Sequence, residues 1–202
     1  MLRSRDMAID GIVLAAGASS RMGEAKPLLK IGDTTFIERA IHSLREAGCR
    51  YVVAVVNGDD DWTARLADVS GAAMVTNDRA GSEQIDSLRL GIANLPEDST
   101  AAVVLPVDFP NVQVATITAL IREFNSGDAV IVNPSYNGSG GHPVIFARSV
   151  FPELLAPNLK DGARSVIDAH SDDARTVAVD DAGVLVDIDT PNDYKEHVAD
   201  HT

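Results

Sequence analysis

Apolar positions change their period repeatedly along the chain, and each change marks an element. A largely apolar run at Ile9–Ala15 reads as a buried strand. Phe36, Ile37, Ala40, Ile41, Leu44 and Ala47 then recur at helical spacing, with Thr35 and Glu38 placed to form a capping box at the helix start. Tyr51–Val56 predicts a second strand, closed by Asn57-Gly58-Asp59-Asp60. A helix from about Asp61 and a short strand at Ala73–Thr76 follow, then a helix marked by Ile85, Leu88, Ile92 and Leu95. Ala101–Leu105 is a strand, Val114, Ile117, Leu120, Ile121 and Phe124 stripe a helix, and Ala129–Val132 is a strand. Residues 133–143, rich in Gly, Ser, Asn and Pro, predict a flexible loop or hairpin. Pro143–Phe146 predicts a strand, Phe151–Leu155 and Ala163–Ala169 short helices, and Arg175–Val179 and Val184–Ile188 closing strands. Thr190-Pro191 opens a last helix, Thr190 as N-cap and Pro191 as first helical residue. Alternating strands and helices predict an α/β fold with a mainly parallel sheet.

Composition narrows the function classes. The 202 residues contain no apolar run long enough for a bilayer span. Residues 1–8 lack the apolar centre of a signal peptide and are expected to be a flexible leader before a single domain over 9–200. The single cysteine, Cys49, cannot form an internal disulfide and reads as a buried thiol. A cytoplasmic location fits these features. The net charge of −13 argues against nucleic acid as a partner. Residues 1–30, however, hold Arg3, Arg5, Arg21, Lys26 and Lys30 against Asp6, Asp10 and Glu24, a locally positive stretch.

That stretch carries the most telling motif, Leu14-Ala15-Ala16-Gly17-Ala18-Ser19-Ser20-Arg21-Met22-Gly23-Glu24-Ala25-Lys26-Pro27. A loop of small residues and backbone N–H groups after a strand can wrap a polyphosphate. Gly17 and Gly23 allow close approach, and Arg21 and Lys26 supply charge as a planar fork and a point charge. The Gly17–Gly23 spacing fits neither the Walker A loop nor the dinucleotide fingerprint.

The loop instead resembles L-A-A-G-x-S-x-R-M-G-x-x-K, the signature of MobA-like NTP transferases, in particular the molybdenum-cofactor cytidylyltransferase branch. The resemblance runs over residues 9 to 195. It implies a Rossmann-like three-layer fold of the nucleotide-diphospho-sugar transferase kind. It also implies a nucleotide-binding set of Leu14, Ala15, Ala16, Gly17, Ser19, Arg21, Gly23 and Lys26, of which Arg21 and Lys26 are catalytic.

Asp108, in Pro106-Val107-Asp108-Phe109-Pro110, directly follows a predicted strand, where α/β sheets gather ligands. The resemblance makes it a catalytic Mg²⁺ ligand; a turn aspartate is the alternative. Phe109 is assigned no chemistry. Asp187-Ile188-Asp189-Thr190-Pro191-Asn192-Asp193 resembles the family's D-I-D-T-P-x-D. Asp187 and Asp189 share a face if the strand continues that far, and the resemblance implies that they complete a metal site with Asp108. Alternatively Asp189 helps cap the last helix and Asp187 is solvated. Asp193 is expected only to face the helix dipole.

The segment from Asn77 to Ile92 resembles one that ends S-L-x-x-G-[LI] and touches base and sugar. Ser87 matches, whereas Ser82 and Gln84 stand where relatives commonly have glycine and methionine; Ser82 and Ser87 are assigned to nucleotide binding. Ser87 otherwise reads as a small residue packed on a neighbouring helix. Gly140-Gly141-His142-Pro143-Val144-Ile145-Phe146 resembles G-H-P-V-[LI]-F, with His142 on the acceptor side or simply pinning a loop, and the two glycines letting backbone approach a ligand. Arg164, in Asp161-Gly162-Ala163-Arg164, contacts an acceptor phosphate or pairs with Asp161.

Together these imply a Mg²⁺-dependent transfer of NMP, expected as CMP from CTP with GTP as the alternative donor, to a phosphorylated acceptor, expected to be molybdopterin. A molybdoenzyme or chaperone would be the protein partner. The alternatives are a sugar- or alcohol-phosphate nucleotidyltransferase and a non-catalytic nucleotide-binding protein that handles the cofactor.

Overall fold

The structure, a computed structural model, describes residues 7–17, 25–57, 71–79 and 81–198. Its centre is a sheet in which β1 (Ile9–Ala15) lies between β4 (Val52–Asn57) and β6 (Ala101–Pro106), both parallel to it. β5 (Ala72–Asn77) adds in parallel beyond β4. On the other side β9 (Val144–Ala147) runs antiparallel between β6 and β7 (Ile131–Tyr136), and β10 (Ala174–Ala178) pairs in parallel with β7. The order is β10-β7-β9-β6-β1-β4-β5, with β8 (Ser139–Gly140) hairpinned onto β7 and a separate ribbon of β2 (Lys30–Ile31) and β3 (Thr34–Thr35). The sheet is thus mainly parallel with a reversed strand inserted, and helices cover both faces.

Alternation along β1 divides the core. Ile9, Val13 and Ala15 face α1 (Phe36–Glu46), α3 (Val114–Ser126) and the C-terminal α6 (Pro191–His197); Ile12 and Leu14 face α2 (Gln84–Ala93), α4 (Phe151–Leu154) and α5 (Ala163–Ala169). Two glycines set the helix–sheet distances. A Cβ on Gly91 of α2 would lie 2.6 Å from Ile12, and one on Gly11 would lie 2.9 Å from Leu44 of α1. Thr35 and Glu38 form the capping box that their spacing predicts. Cys49 is buried, and burial pushes its thiol up to about 12.

Three expectations change. Val184–Ile188 is no strand: Ala182–Leu185 is a 3₁₀ turn whose buried Val184 plugs the core, and Val186–Asp189 is irregular chain bonded to the segment that follows β6. The strand expected at Ala129–Val132 starts at Ile131 and runs to Tyr136, so residues 133–143 form a β7–β8 hairpin and its exit. The close approach at Gly141 is to the chain itself, since a Cβ there would lie 2.1 Å from the Val184 carbonyl oxygen. The helix expected from Asp61 lies outside the described residues. Among the described residues no helix is long and apolar enough to cross a membrane.

Candidate active site

Parallel strands deliver their carboxyl ends to one side of the sheet, and the candidate residues collect there. The end of β1 (Leu14, Ala15) with Ala16 and Gly17, the end of β6 with Asp108, and the start of α2 with Ser82 and Ser87 line a pocket of about 290 Å³. Lys26 and Asp189 close it from a third direction. Ser19, Arg21 and Gly23 lie outside the described residues.

Lys26 opens a 3₁₀ turn whose Pro27 is buried, and its ammonium is ion-paired with Asp189 and stands 3.8 Å from Asp108 Oδ2. Asp108 Oδ1 is buried and has no hydrogen-bond partner among the described residues. Burial pushes the Asp108 carboxyl above its ordinary range; Lys26 pulls it back, and the charges of Asp189 and Asp187 push it further up. Asp189 reaches this place through backbone: the Ile188 N–H donates to the Asp108 carbonyl at 2.8 Å. Asp187 acts on Asp108 and His142 through its charge but does not line the pocket. Asp193 does more than face a dipole. It completes a capping box with Thr190 and also accepts the Asp189 N–H at 3.1 Å, so the start of α6 fixes the aspartate backbone.

Ser87 is buried and lines the pocket wall, and its hydroxyl accepts a 3.0 Å bond from the buried Asn77 side chain. Sequence reasoning gave Asn77 no role. Its signal was a polar amide at a strand end beside a serine-bearing helix.

A larger depression of about 780 Å³ shares Leu14, Glu83 and Gln84 with the first pocket. Its floor is apolar (Leu88, Val104, Val144, Phe146), and its far rim carries Arg164. Arg164 pairs with Asp168 at 2.8 Å, one turn along α5, and not with Asp161. Phe109, without assigned chemistry in the sequence, lies against His142 with ring centroids 4.7 Å apart, and both face the depression. Burial pushes the His142 imidazole below its ordinary value, against an opposing pull from Asp187, so it is neutral near pH 7; its buried Nδ1 has no hydrogen-bond partner among the described residues. β9 places it there because an antiparallel strand begins where its neighbour β6 ends.

Two compartments thus share a wall at the carboxyl ends of the strands, one of them ending on a glycine-bearing strand loop with a lysine and two aspartates. The profile of the MobA-like NTP transferase domain matches residues 11–174. The chain belongs to that family. As a MobA-like NTP transferase it is a nucleotidyltransferase. It is similar to the molybdenum cofactor cytidylyltransferase of Escherichia coli strain K12, 25% identical over 189 residues that cover 93% of this chain and 94% of that protein. It is 36% identical to a molybdenum cofactor guanylyltransferase of Xanthomonas euvesicatoria over 111 residues, about half of each chain (55% and 52%). The crystal structure of Rv0371c from Mycobacterium tuberculosis H37Rv matches with a TM-score of 0.82 at 29% identity, over 96% of this chain and 98% of that one. The same protein has been solved in complex with manganese (TM-score 0.80, 28% identity, the same coverage).

Proposed function

We propose that this nucleotidyltransferase transfers CMP from CTP to the phosphate of a molybdopterin-type acceptor, with Mg²⁺, in a domain spanning residues 9–200. The observation that carries this reading is the shared wall: the donor pocket, with Lys26, Asp108 and Asp189, opens beside an apolar-floored depression edged by Phe109 and His142. The whole-length similarity to a cytidylyltransferase supports CTP over GTP.

The donor set fits a hard divalent cation. Among the described residues no three His, Cys, Asp or Glu side chains converge as a ready cluster. Mg²⁺ asks for less than that: one or two carboxylates, with substrate phosphates and waters completing its octahedron. Asp108, with its orphaned oxygen, and Asp189 would hold it, with Asp187 contributing charge from behind. When bound, the metal supplies charge neutralisation across donor and acceptor phosphates.

The acceptor phosphate oxygen attacks the α-phosphorus of CTP in line. A new P–O bond forms, the α–β bridge breaks, and pyrophosphate leaves with the negative charge. Leu14–Gly17, Ser19, Arg21, Gly23 and Lys26 hold the triphosphate, and Lys26 leaves Asp189 to neutralise the leaving group. Ser82 and Ser87 bound the base and sugar. The neutral His142 offers a ring nitrogen to the acceptor, and Arg164 steers it from the rim.

The test is pyrophosphate release with Mg²⁺, molybdopterin and each of CTP, GTP, ATP and UTP. The expected result is CTP over GTP by at least about tenfold in kcat/KM, since unpaired polar groups against the wrong base cost ~1–3 kcal/mol each. A preference for another NTP overturns the donor assignment. Turnover with sugar phosphates but not with molybdopterin overturns the acceptor assignment.

A further inference from the structure

We propose that Asp181 is a positioning residue for the metal-holding carboxylates, acting by clamping the 181–189 strap to the chain that follows Asp108. The inference rests on the reading of Asp108 and Asp189 as metal ligands.

Asp181 is 3% exposed, and two of the three groups it bonds are distant along the chain. Its carboxylate accepts from the Gln113 N–H at 2.9 Å, the Thr116 hydroxyl at 2.6 Å and the Gly183 N–H at 3.0 Å. Gln113 is the N-cap residue of α3 and bonds no turn amide with its own side chain. Asp181 therefore meets donors of the α3 N-terminus from a segment some 65 positions away in sequence.

The strap runs on from this clamp beside the Asp108–Gln113 chain. Gly183 packs where a Cβ would lie 2.4 Å from the Asn111 carbonyl oxygen, so the two backbones are in contact there. Val184 is fully buried, and its carbonyl accepts the His142 N–H at 2.9 Å. The fully buried Ile188 donates its N–H to the Asp108 carbonyl, and Asp189 is the next residue. One carboxylate thus anchors a strap that touches the acceptor side through Val184 and the metal side through Asp189.

Burying a charge is a poor way to gain stability, because the desolvation cost offsets most of the attraction. Three convergent donors from two segments do provide direction. They fix where the strap begins, and the backbone bond at Ile188 fixes where it ends. Groups that orient metal ligands without touching the metal commonly change affinity by about 10- to 100-fold when removed.

The experiment measures Mn²⁺ binding to the full chain, without nucleotide, by the electron paramagnetic resonance signal of free Mn²⁺, together with Tm. Asp108→Asn establishes the site by weakening binding. Asp181→Asn is expected to raise the Mn²⁺ Kd about tenfold. Thr116→Val, which removes one of three donors, is expected to raise it by a smaller factor and decides alone if Asp181→Asn fails to fold. Asp10→Asn is the control. Asp10 is a fully buried carboxylate held by Arg50 and the Tyr51 N–H at the start of β1, the opposite end of the sheet; its loss should lower Tm and leave Mn²⁺ affinity unchanged.

Wild-type affinity in Thr116→Val and in folded Asp181→Asn overturns the inference. So does equal weakening by Asp10→Asn at equal loss of Tm. Mn²⁺ binding that is insensitive to Asp108→Asn, or absent in the wild type, overturns the underlying metal reading and the inference with it.

Discussion

Replacing Asp108 by asparagine should make the free protein more stable and the enzyme nearly inactive. Asp108 buries one carboxylate oxygen with no hydrogen-bond partner among the described residues, and its second oxygen is 3.8 Å from the Lys26 ammonium. That attraction is worth at most ~4 kcal/mol at an effective dielectric of about 20. Lys26 also remains engaged with Asp189 after the substitution. Against it stand the burial cost of the carboxylate and repulsion from Asp189 and Asp187, and the balance holds the carboxyl above its ordinary range. An unsatisfied buried polar group costs ~1–3 kcal/mol, more when charged, so relieving the charge should return a net ~1 kcal/mol. For a chain of this size that raises Tm by about 2–4 °C.

The pH dependence has a definite sign. A carboxyl whose folded value is raised favours the folded state fully below its unfolded value and loses that contribution as pH rises through the folded value. The Tm advantage of Asp108→Asn should therefore vanish in acid, where aspartic acid and asparagine are both neutral, and grow towards neutral pH. Calorimetry across this range measures it, beside pyrophosphate release with a Mg²⁺ titration. Release should fall about 10²-fold or more, with a raised Mg²⁺ requirement. A variant less stable than wild type near neutral pH would refute the claim that this carboxylate is held against its own preference. Undiminished turnover would remove it from the reaction.

Other substitutions probe the same site and its supports. Lys26→Met should cut pyrophosphate release by about 10²-fold yet tighten Mn²⁺ binding to the free protein, because Lys26 competes for Asp189. Mn²⁺ binding unchanged from wild type would show that lysine and metal do not share the carboxylate. Ser87→Ala should lower stability by ~1–3 kcal/mol in denaturant unfolding, since it strands the buried Asn77 amide; Asn77→Ala in the same background should then add little. Gly91→Ala should destabilise by ~1–3 kcal/mol through the clash with Ile12, and an unchanged unfolding midpoint would refute the close helix–sheet contact.

Local chemistry made much of this structure readable in advance. The span Ile9–Ala15, the Thr35–Glu38 box and the Thr190–Pro191 helix start depend on neighbours within four residues, and sequence displays those directly. Val184–Ile188 misled because alternating apolar residues can fill a core as well as pleat. Val184 and Ile188 are both fully buried, but Val184 enters the core from a 3₁₀ turn capped by Asp181. Asp10 entered the sequence reading only as a charge and Asp181 not at all, because their partners lie some 40 and 65 positions away. The same distance hid the Lys26–Asp189 pair, 163 positions apart, although each residue was singled out alone. Phe109 was passed over for a similar reason: its meaning comes from His142, which only β9 brings alongside.

The reversal of β9 ties His142 to the strap that carries Asp189. Leu14–Gly17 lead out of β1 and Asp108 follows β6, two strands that pair directly with each other. His142 hangs from a hairpin exit on the other side of β6; its N–H donates to the Val184 carbonyl, and a Cβ on Gly141 would lie 2.1 Å from the same oxygen. An engineer who grafts the 133–142 segment from a relative should therefore carry that relative's 181–189 strap with it, because the two segments share one seam. A graft of the hairpin alone would leave that seam mismatched, and the misfit would be felt at Asp189 as well as at His142.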